Sequence, residues 1–173
     1  MNTIHLNRIC SNITGIVSDI DGVLTSGEIV YSSSGVESKS FNVKDGSSIV
    51  RLKNKGIDFA LISGRESVAN QLRAEELGIE HLYENISDKG TALDELIKNG
   101  FPSENICAIG DDIQDLSLFR HSCVKLKITV RDGHPRVIEE ADFVTKRKGG
   151  EGIMLEVCEL LNIEKQRIVP TLS

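Results

Sequence analysis

Asp19 and Asp21 stand two residues apart at the end of a short apolar run, Ile13-Thr14-Gly15-Ile16-Val17-Ser18, and Gly22 follows at once. The run reads as a buried strand, and Gly22 permits a sharp turn after it. A strand that delivers two carboxylates suits phosphoryl transfer. One can attack phosphorus and hold a hard cation, and the other can move the proton. Taken alone, the pair also fits a plain strand end, because Asp is common in turns. Three further groups follow later strands: Ser63-Gly64-Arg65, Asp88-Lys89 and Asp111-Asp112.

Hydrolysis of a phosphomonoester sets requirements that these residues can be held against. The ester is a dianion and repels a carboxylate nucleophile unless a cation neutralises the pair. Magnesium prefers oxygen ligands, typically carboxylates, water and a phosphate oxygen. Asp19 and Asp111 can supply two of them if their strands are neighbours. The remaining phosphate charge needs a hydroxyl, backbone N–H groups and a fixed ammonium. Ser63, the amides of Gly64 and Arg65, and Lys89 fit those parts. Each also has an ordinary reading as a helix cap or solvated surface. Their order on successive strands is what carries weight.

The elements that must position them alternate along the chain. Residues 27–43 read as a β-hairpin, Ile29-Val30-Tyr31 and Val36 to Val43 about the turn Ser32-Ser33-Ser34-Gly35. A helix then opens at Asp45-Gly46-Ser47, with Asp45 as its N-cap. Strands are expected at 57–62, 79–83, 105–110 and 124–130, with a short one at 142–145. Helices are expected at about 67–77, 88–99 and 152–161, with a short one from Pro135. Gly56, Gly78 and Gly100 are placed to end successive helices, 22 residues apart, the pitch of a compact helix–strand unit. Such alternation implies a doubly wound, mainly parallel α/β sheet, in which ligands gather beyond the carboxyl ends of the strands. One domain over 1–173 is expected, with a loosely held tail from Asn162 to Ser173.

Composition narrows the partners. The formal net charge is −6, aromatic residues make up 4% of the chain and Trp is absent, which argues against a nucleic-acid partner. No apolar run approaches the roughly 20 residues of a membrane span. Cys10, Cys107, Cys123 and Cys158 form no C-x-x-C and read as small core residues in a reduced, cytosolic protein. His5, His81, His121 and His134 show no zinc-ligand spacing.

Asp19-Ile20-Asp21-Gly22-Val23-Leu24-Thr25, Ile62-Ser63-Gly64-Arg65, Lys89 and Ile109-Gly110-Asp111-Asp112-Ile113-Gln114-Asp115 resemble the four motifs of the haloacid dehalogenase superfamily. Phe41-Asn42-Val43-Lys44-Asp45-Gly46, Asp132-Gly133-His134-Pro135 and Gly149-Gly150-Glu151-Gly152 resemble its capless branch, which contains the 3-deoxy-D-manno-octulosonate 8-phosphate phosphatases. The likeness runs from about Ile13 to Leu161. It implies a Rossmann-like fold without a cap domain and a magnesium-dependent phosphatase that passes through an aspartyl-phosphate. Asp19 would be the nucleophile and a metal ligand. Asp21 would be the acid and base, lending its backbone carbonyl to the metal, and Asp111 the third ligand. Ser63 and Lys89 would hold the phosphoryl group, with Asp112 and Asp115 orienting the metal site and Lys89.

In relatives of this branch the hairpin builds a homotetramer that completes each pocket, so the resemblance implies the same here. Arg65 and Arg73 match positions used for a sugar-acid carboxylate, and Asn42, Val43, Lys44, Asp45 and Gly46 would lie against the substrate. The chain departs from relatives at Ser47-Ser48-Ile49-Val50, where glycine and then a basic residue are usual. Gly-Gly-Glu-Gly also occurs in phosphatases of nine-carbon ulosonates, while Arg65 fits the eight-carbon enzymes. Two other classes share parts of the pattern. A signalling receiver places its hydroxyl and lysine late, after the phosphorylated Asp, unlike this chain. The non-catalytic tetramerising relatives tend to have lost motif residues that are all present here.

Overall fold

The computed structural model describes residues 3–161. Strand β1 (Gly15–Ser18) is buried along its whole length because it has a parallel neighbour on each side, β4 (Asp58–Ile62) and β6 (Ile106–Gly110). The six-stranded sheet runs β5-β4-β1-β6-β7-β8, every pairing parallel, with β5 at His81–Tyr83, β7 at Val124–Thr129 and β8 at Phe143–Val144. The chain leaves β1 towards β5, then returns to β6 on the other side of β1. Strand order therefore reverses between β1 and β6, which is where such sheets open a ligand crevice.

Alternate strand residues enter two cores. Ile16, Leu61, Cys107 and Ile109 pack on one face with α1 (Thr3–Cys10), α2 (Val43–Asn54), α3 (Val68–Glu76) and α7 (Met154–Leu160). Val17, Ala60, Ile62 and Ala108 pack on the other with α4 (Lys89–Lys98), α5 (Leu116–Phe119) and α6 (Pro135–Glu140). Both faces are covered, which is why these strands read as continuous apolar runs. Each fully buried Ile or Leu contributes about 1.5–3 kcal/mol.

Between β1 and α2 the chain inserts only a two-stranded antiparallel hairpin, β2 (Val30–Tyr31) and β3 (Glu37–Ser38). It is shorter than the 27–43 reading, and Val43 belongs to a helix. The helix start is also corrected. Asn42, with extended backbone, caps α2 through Lys44 N at 2.9 Å, while Asp45 lies inside the first turn. Helix α1 and the 3₁₀ turn Ile113–Asp115 that leads into α5 were not anticipated. Gly56, Gly78 and Gly100 do end helices, each at positive φ (81°, 60° and 100°). Cys10, Cys107 and Cys158 are buried and Cys123 half-buried, and all four are free thiols. The expected tail at 162–173 lies outside the described residues.

Candidate active site

The carboxyl ends of β1, β4 and β6, with the start of α4, converge on one cavity of about 380 Å³. Asp19 continues the β1–β6 pairing, its N–H donating to Ile109 O at 2.9 Å. Its Oδ1 accepts from Ile20 N at 2.7 Å and meets Lys89 Nζ at 2.9 Å. Lys89 is the first residue of α4, capped by Asp88, and is only 2% exposed. Its ammonium also bonds Asp115 Oδ1 at 2.5 Å. Asp115 turns its other oxygen back to accept from Asp111 N (2.8 Å) and Asp112 N (3.0 Å). Asp112 in turn accepts from Ile113 N at 2.7 Å, closing a reciprocal cap on the 3₁₀ turn. The Asp-Asp-x-x-Asp spacing thus builds a rigid bracket with Asp111 at its tip.

Asp19, Asp111 and Asp115 each bring a carboxylate oxygen within 4.8 Å of the others. When all three carboxylates are ionised they exceed the one ammonium of Lys89 by two negative charges, the charge a divalent cation balances. Asp111 Oδ1 is buried without a hydrogen-bond partner, an orphan that a cation would satisfy. Burial, followed by the charges of Asp19 and Asp115, pushes Asp111 up to about 8. Burial also lifts Asp19 to about 6 against the opposing pull of Lys89. Burial works to lower Lys89, but Asp19 and Asp115 outweigh it and hold the ammonium above its ordinary value. All-oxygen donors on a tight, acidic bracket suit a hard cation such as magnesium.

Gly22 has φ +94°, and a Cβ there would run into the Asp111 carboxylate, so the turn after β1 can pass close to the bracket only with glycine. Ser63, buried just after β4 and not itself lining the cavity, donates from N to Tyr83 O (2.8 Å), and its Oγ accepts from Arg65 N (3.1 Å) and reaches Asp21 Oδ2 (3.4 Å). Gly64 and Arg65 line the cavity with Asp21, Asp112 and Gln114. Two roomier depressions, of about 580 and 570 Å³, lie beside Phe143 and Glu156 and beside His5 and Lys127. Neither joins a carboxylate cluster to a buried ammonium, so the smaller cavity is the one with chemistry.

The remaining expected site residues lie elsewhere. Asp45, expected against the substrate, is 2% exposed, and its Oδ1 accepts from Met154 N at 2.8 Å, so it ties α2 to α7 and is not among the residues that line the cavity. Arg73 is also committed, to Glu76 (2.8 Å), to Asn42 O (3.2 Å) and to the face of Phe41 (5.6 Å). Gly46 is packed under that guanidinium. Asn42 spends its side chain on the cap and on Gly150 O (3.2 Å), and Val43 and Lys44 are exposed beyond the cavity lining.

Sequence reasoning missed the hairpin's own contribution. Lys39 Nζ bonds both oxygens of Asp21, at 2.6 and 2.8 Å, and Glu37 bonds Arg65 at 2.7 Å. The signal available was the i, i+2 spacing of Glu37 and Lys39, which puts both on one side of a strand beside the Asp pair. The Gly149-Gly150 turn packs against the loop after β1. Any side chain at Gly149 would strike Gly22 O, and Gly150 N donates to Val23 O at 3.0 Å, so this turn buttresses the loop after β1.

A parallel sheet that gathers Asp-x-Asp, Ser, Lys and Asp-Asp at its switch point defines a phosphotransferase or phosphatase site of the haloacid dehalogenase type. Residues 81–157 match the haloacid dehalogenase-like hydrolase family. The 3-deoxy-D-manno-octulosonate 8-phosphate phosphatase of Yersinia pestis is 38% identical over 159 residues, 91% of this chain and 84% of the relative. That of Escherichia coli strain K12 is 38% identical over 158 residues, 91% of this chain and 83% of the relative. The Moraxella catarrhalis phosphatase, solved with magnesium ion, phosphate ion and KDO, superposes at a TM-score of 0.86 with 37% identity, covering 92% of this chain and 91% of that one. The cobalt-bound Haemophilus influenzae phosphatase gives 0.83 and 33%, covering 91% and 92%. This chain belongs to the family of the 3-deoxy-D-manno-octulosonate 8-phosphate phosphatases. No helix among the described residues is long and apolar enough to cross a membrane.

Proposed function

We propose that this chain is a magnesium-dependent phosphatase that releases inorganic phosphate from 3-deoxy-D-manno-octulosonate 8-phosphate, a step in building lipopolysaccharide sugar. The observation that carries the reading is the meeting of Asp19, Asp111 and Asp115 with buried Lys89 in one cavity, in a chain 37% identical to a phosphatase solved with magnesium, phosphate and the sugar product. Asp19, the backbone carbonyl of Asp21 and Asp111 would hold the metal, which shields charge on the transferring phosphoryl group when bound.

In this mechanism the Asp19 carboxylate attacks phosphorus and the ester P–O bond breaks, with Asp21 giving its proton to the departing sugar oxygen. Water then attacks the aspartyl-phosphate, Asp21 takes the proton back, and the P–O bond to Asp19 breaks. The Ile20 amide and Lys89 fix the rotation of the Asp19 carboxylate. Ser63 and Lys89 hold the phosphoryl oxygens, and Asp115 keeps Lys89 and the Asp111 backbone in place. Arg65, at the rim of the cavity and bonded to Glu37 through Nη2, would turn its remaining guanidinium donors to the sugar-acid carboxylate. The reading includes cytoplasmic location, supported by four free thiols, and assembly into a homotetramer through the hairpin. Ile29, Val30, Tyr31 and Val36 are each more than half exposed there, an apolar surface suited to a second copy; the mass of the assembly in solution tests it.

The decisive assay is phosphate release from the eight-carbon substrate, with the nine-carbon phosphate as competitor, with and without magnesium. Asp19→Asn should be inert while its circular dichroism matches the parent. Turnover that survives that substitution, or that needs no divalent cation, overturns the mechanism.

A further inference from the structure

The hairpin that separates β1 from α2 does more than expose apolar residues. Lys39, directly after β3, carries a side chain only 4% exposed although its segment lies at the surface. A lysine tip is normally solvated, and burying one requires a partner. Here the partner is Asp21: the ammonium spans both carboxylate oxygens at 2.6 and 2.8 Å, and Ser63 Oγ stands 3.4 Å from Oδ2. No other side chain bonds Asp21 among the described contacts. Glu37, two residues earlier, lies 3.8 Å from the same ammonium and bonds Arg65 at 2.7 Å. The hairpin is therefore clasped to the cavity at two points, one on Asp21 and one on the loop after β4.

We propose that Lys39 is a positioning residue for Asp21, holding the plane of that carboxylate so that it meets the departing sugar oxygen and, later, the attacking water. This rests on the acid–base part given to Asp21 above. Asp21 sits on the turn after β1, a quarter exposed, and a carboxylate there has free rotation about its side-chain bonds without a partner. Proton transfer needs the donor within hydrogen-bond reach of the ester oxygen, and misplacement by an ångström is costly. With Asp21 ionised the ammonium bonds both oxygens, as in the base step. In the acid step one oxygen carries the proton that goes to the sugar oxygen and the ammonium keeps its bond to the other, so the rotation is restricted in both.

The leaving group separates this from a merely structural role. A sugar alkoxide leaves poorly and needs a proton from Asp21. A p-nitrophenolate leaves without one. In Lys39→Met, phosphoryl transfer from the sugar phosphate in a single turnover should slow roughly tenfold to a hundredfold, a share of what general acid catalysis contributes. The p-nitrophenol burst from p-nitrophenyl phosphate should stay within about threefold of the parent, and KM for the sugar phosphate should change less than kcat. Lys39→Arg, which keeps a cation, should recover most of the rate. In an Asp21→Asn background, Lys39→Met should cost nothing further, because residues acting as a unit are not additive.

Equal slowing of both substrates in Lys39→Met, full additivity with Asp21→Asn, or an unchanged sugar-phosphate rate would each overturn the proposal. If Lys39→Met does not fold, Lys39→Gln takes its place in the same comparison. The parent enzyme tests the phosphatase reading by itself: failure of the parent to turn over the sugar phosphate rejects that reading, whereas a normal parent with an indifferent Lys39 variant rejects only the positioning role.

Discussion

Asp45 offers the sharpest test of how this structure assigns its acidic residues. Its carboxylate is buried between α2 and α7, one oxygen accepting from Met154 N and the other without a partner. Burial dominates and lifts it to about 6, from an ordinary value of 3.8. A carboxyl with a raised native value binds more protons folded than unfolded between those two points, so stability falls as pH rises through that window. The total contribution is about 3 kcal/mol at 1.36 kcal/mol per unit, of which about 1 kcal/mol is lost between about pH 5 and pH 8. Asp45→Asn keeps an acceptor for Met154 N and removes the titration. Urea unfolding of parent and variant across that range should show the variant gaining about 1 kcal/mol on the parent towards the alkaline end, with unchanged m-values. A difference that is flat with pH, accompanied by a raised KM for the sugar phosphate, would refute the structural role and return Asp45 to the substrate site.

Two other perturbations follow from the cavity. Lys89→Met leaves the Asp19 and Asp115 carboxylates buried without their cation; phosphate release should be lost and urea unfolding should show about 3–5 kcal/mol less stability at neutral pH. Gly22→Ala puts a Cβ against the Asp111 carboxylate at a backbone φ of +94°. Titrating activity with magnesium should show the half-saturating concentration raised roughly tenfold or more, with about 1–3 kcal/mol lost from the fold.

Much of this site was legible in the chain because it is built from local rules. Apolar runs bounded by turn residues placed β1, β4 and β6, and parallel pairing places their ends together at the switch point. Asp19 and Asp111 then meet because each sits at or just beyond such an end, and Lys89 joins them from the start of α4. Ser67 and Asp88 cap the helices they precede, and Gly56, Gly78 and Gly100 end theirs, since a cap depends only on residues within a turn of it.

What only the tertiary structure decided concerns partners distant along the chain. Asn42 and Asp45 are both good capping residues, and the choice between them fell to packing, because the backbone amide of Met154, 109 residues on, takes the Asp45 carboxylate. Arg73 looked free for a ligand until Phe41, Asn42 and Glu76 closed round it. Lys39 gains its part only because the hairpin folds back over Asp21, a contact between segments 18 residues apart. Local sequence sets where a side chain begins and what it is able to bond. Which partner it meets, and how far its charge is removed from water, depends on how the helices and the hairpin settle on the sheet.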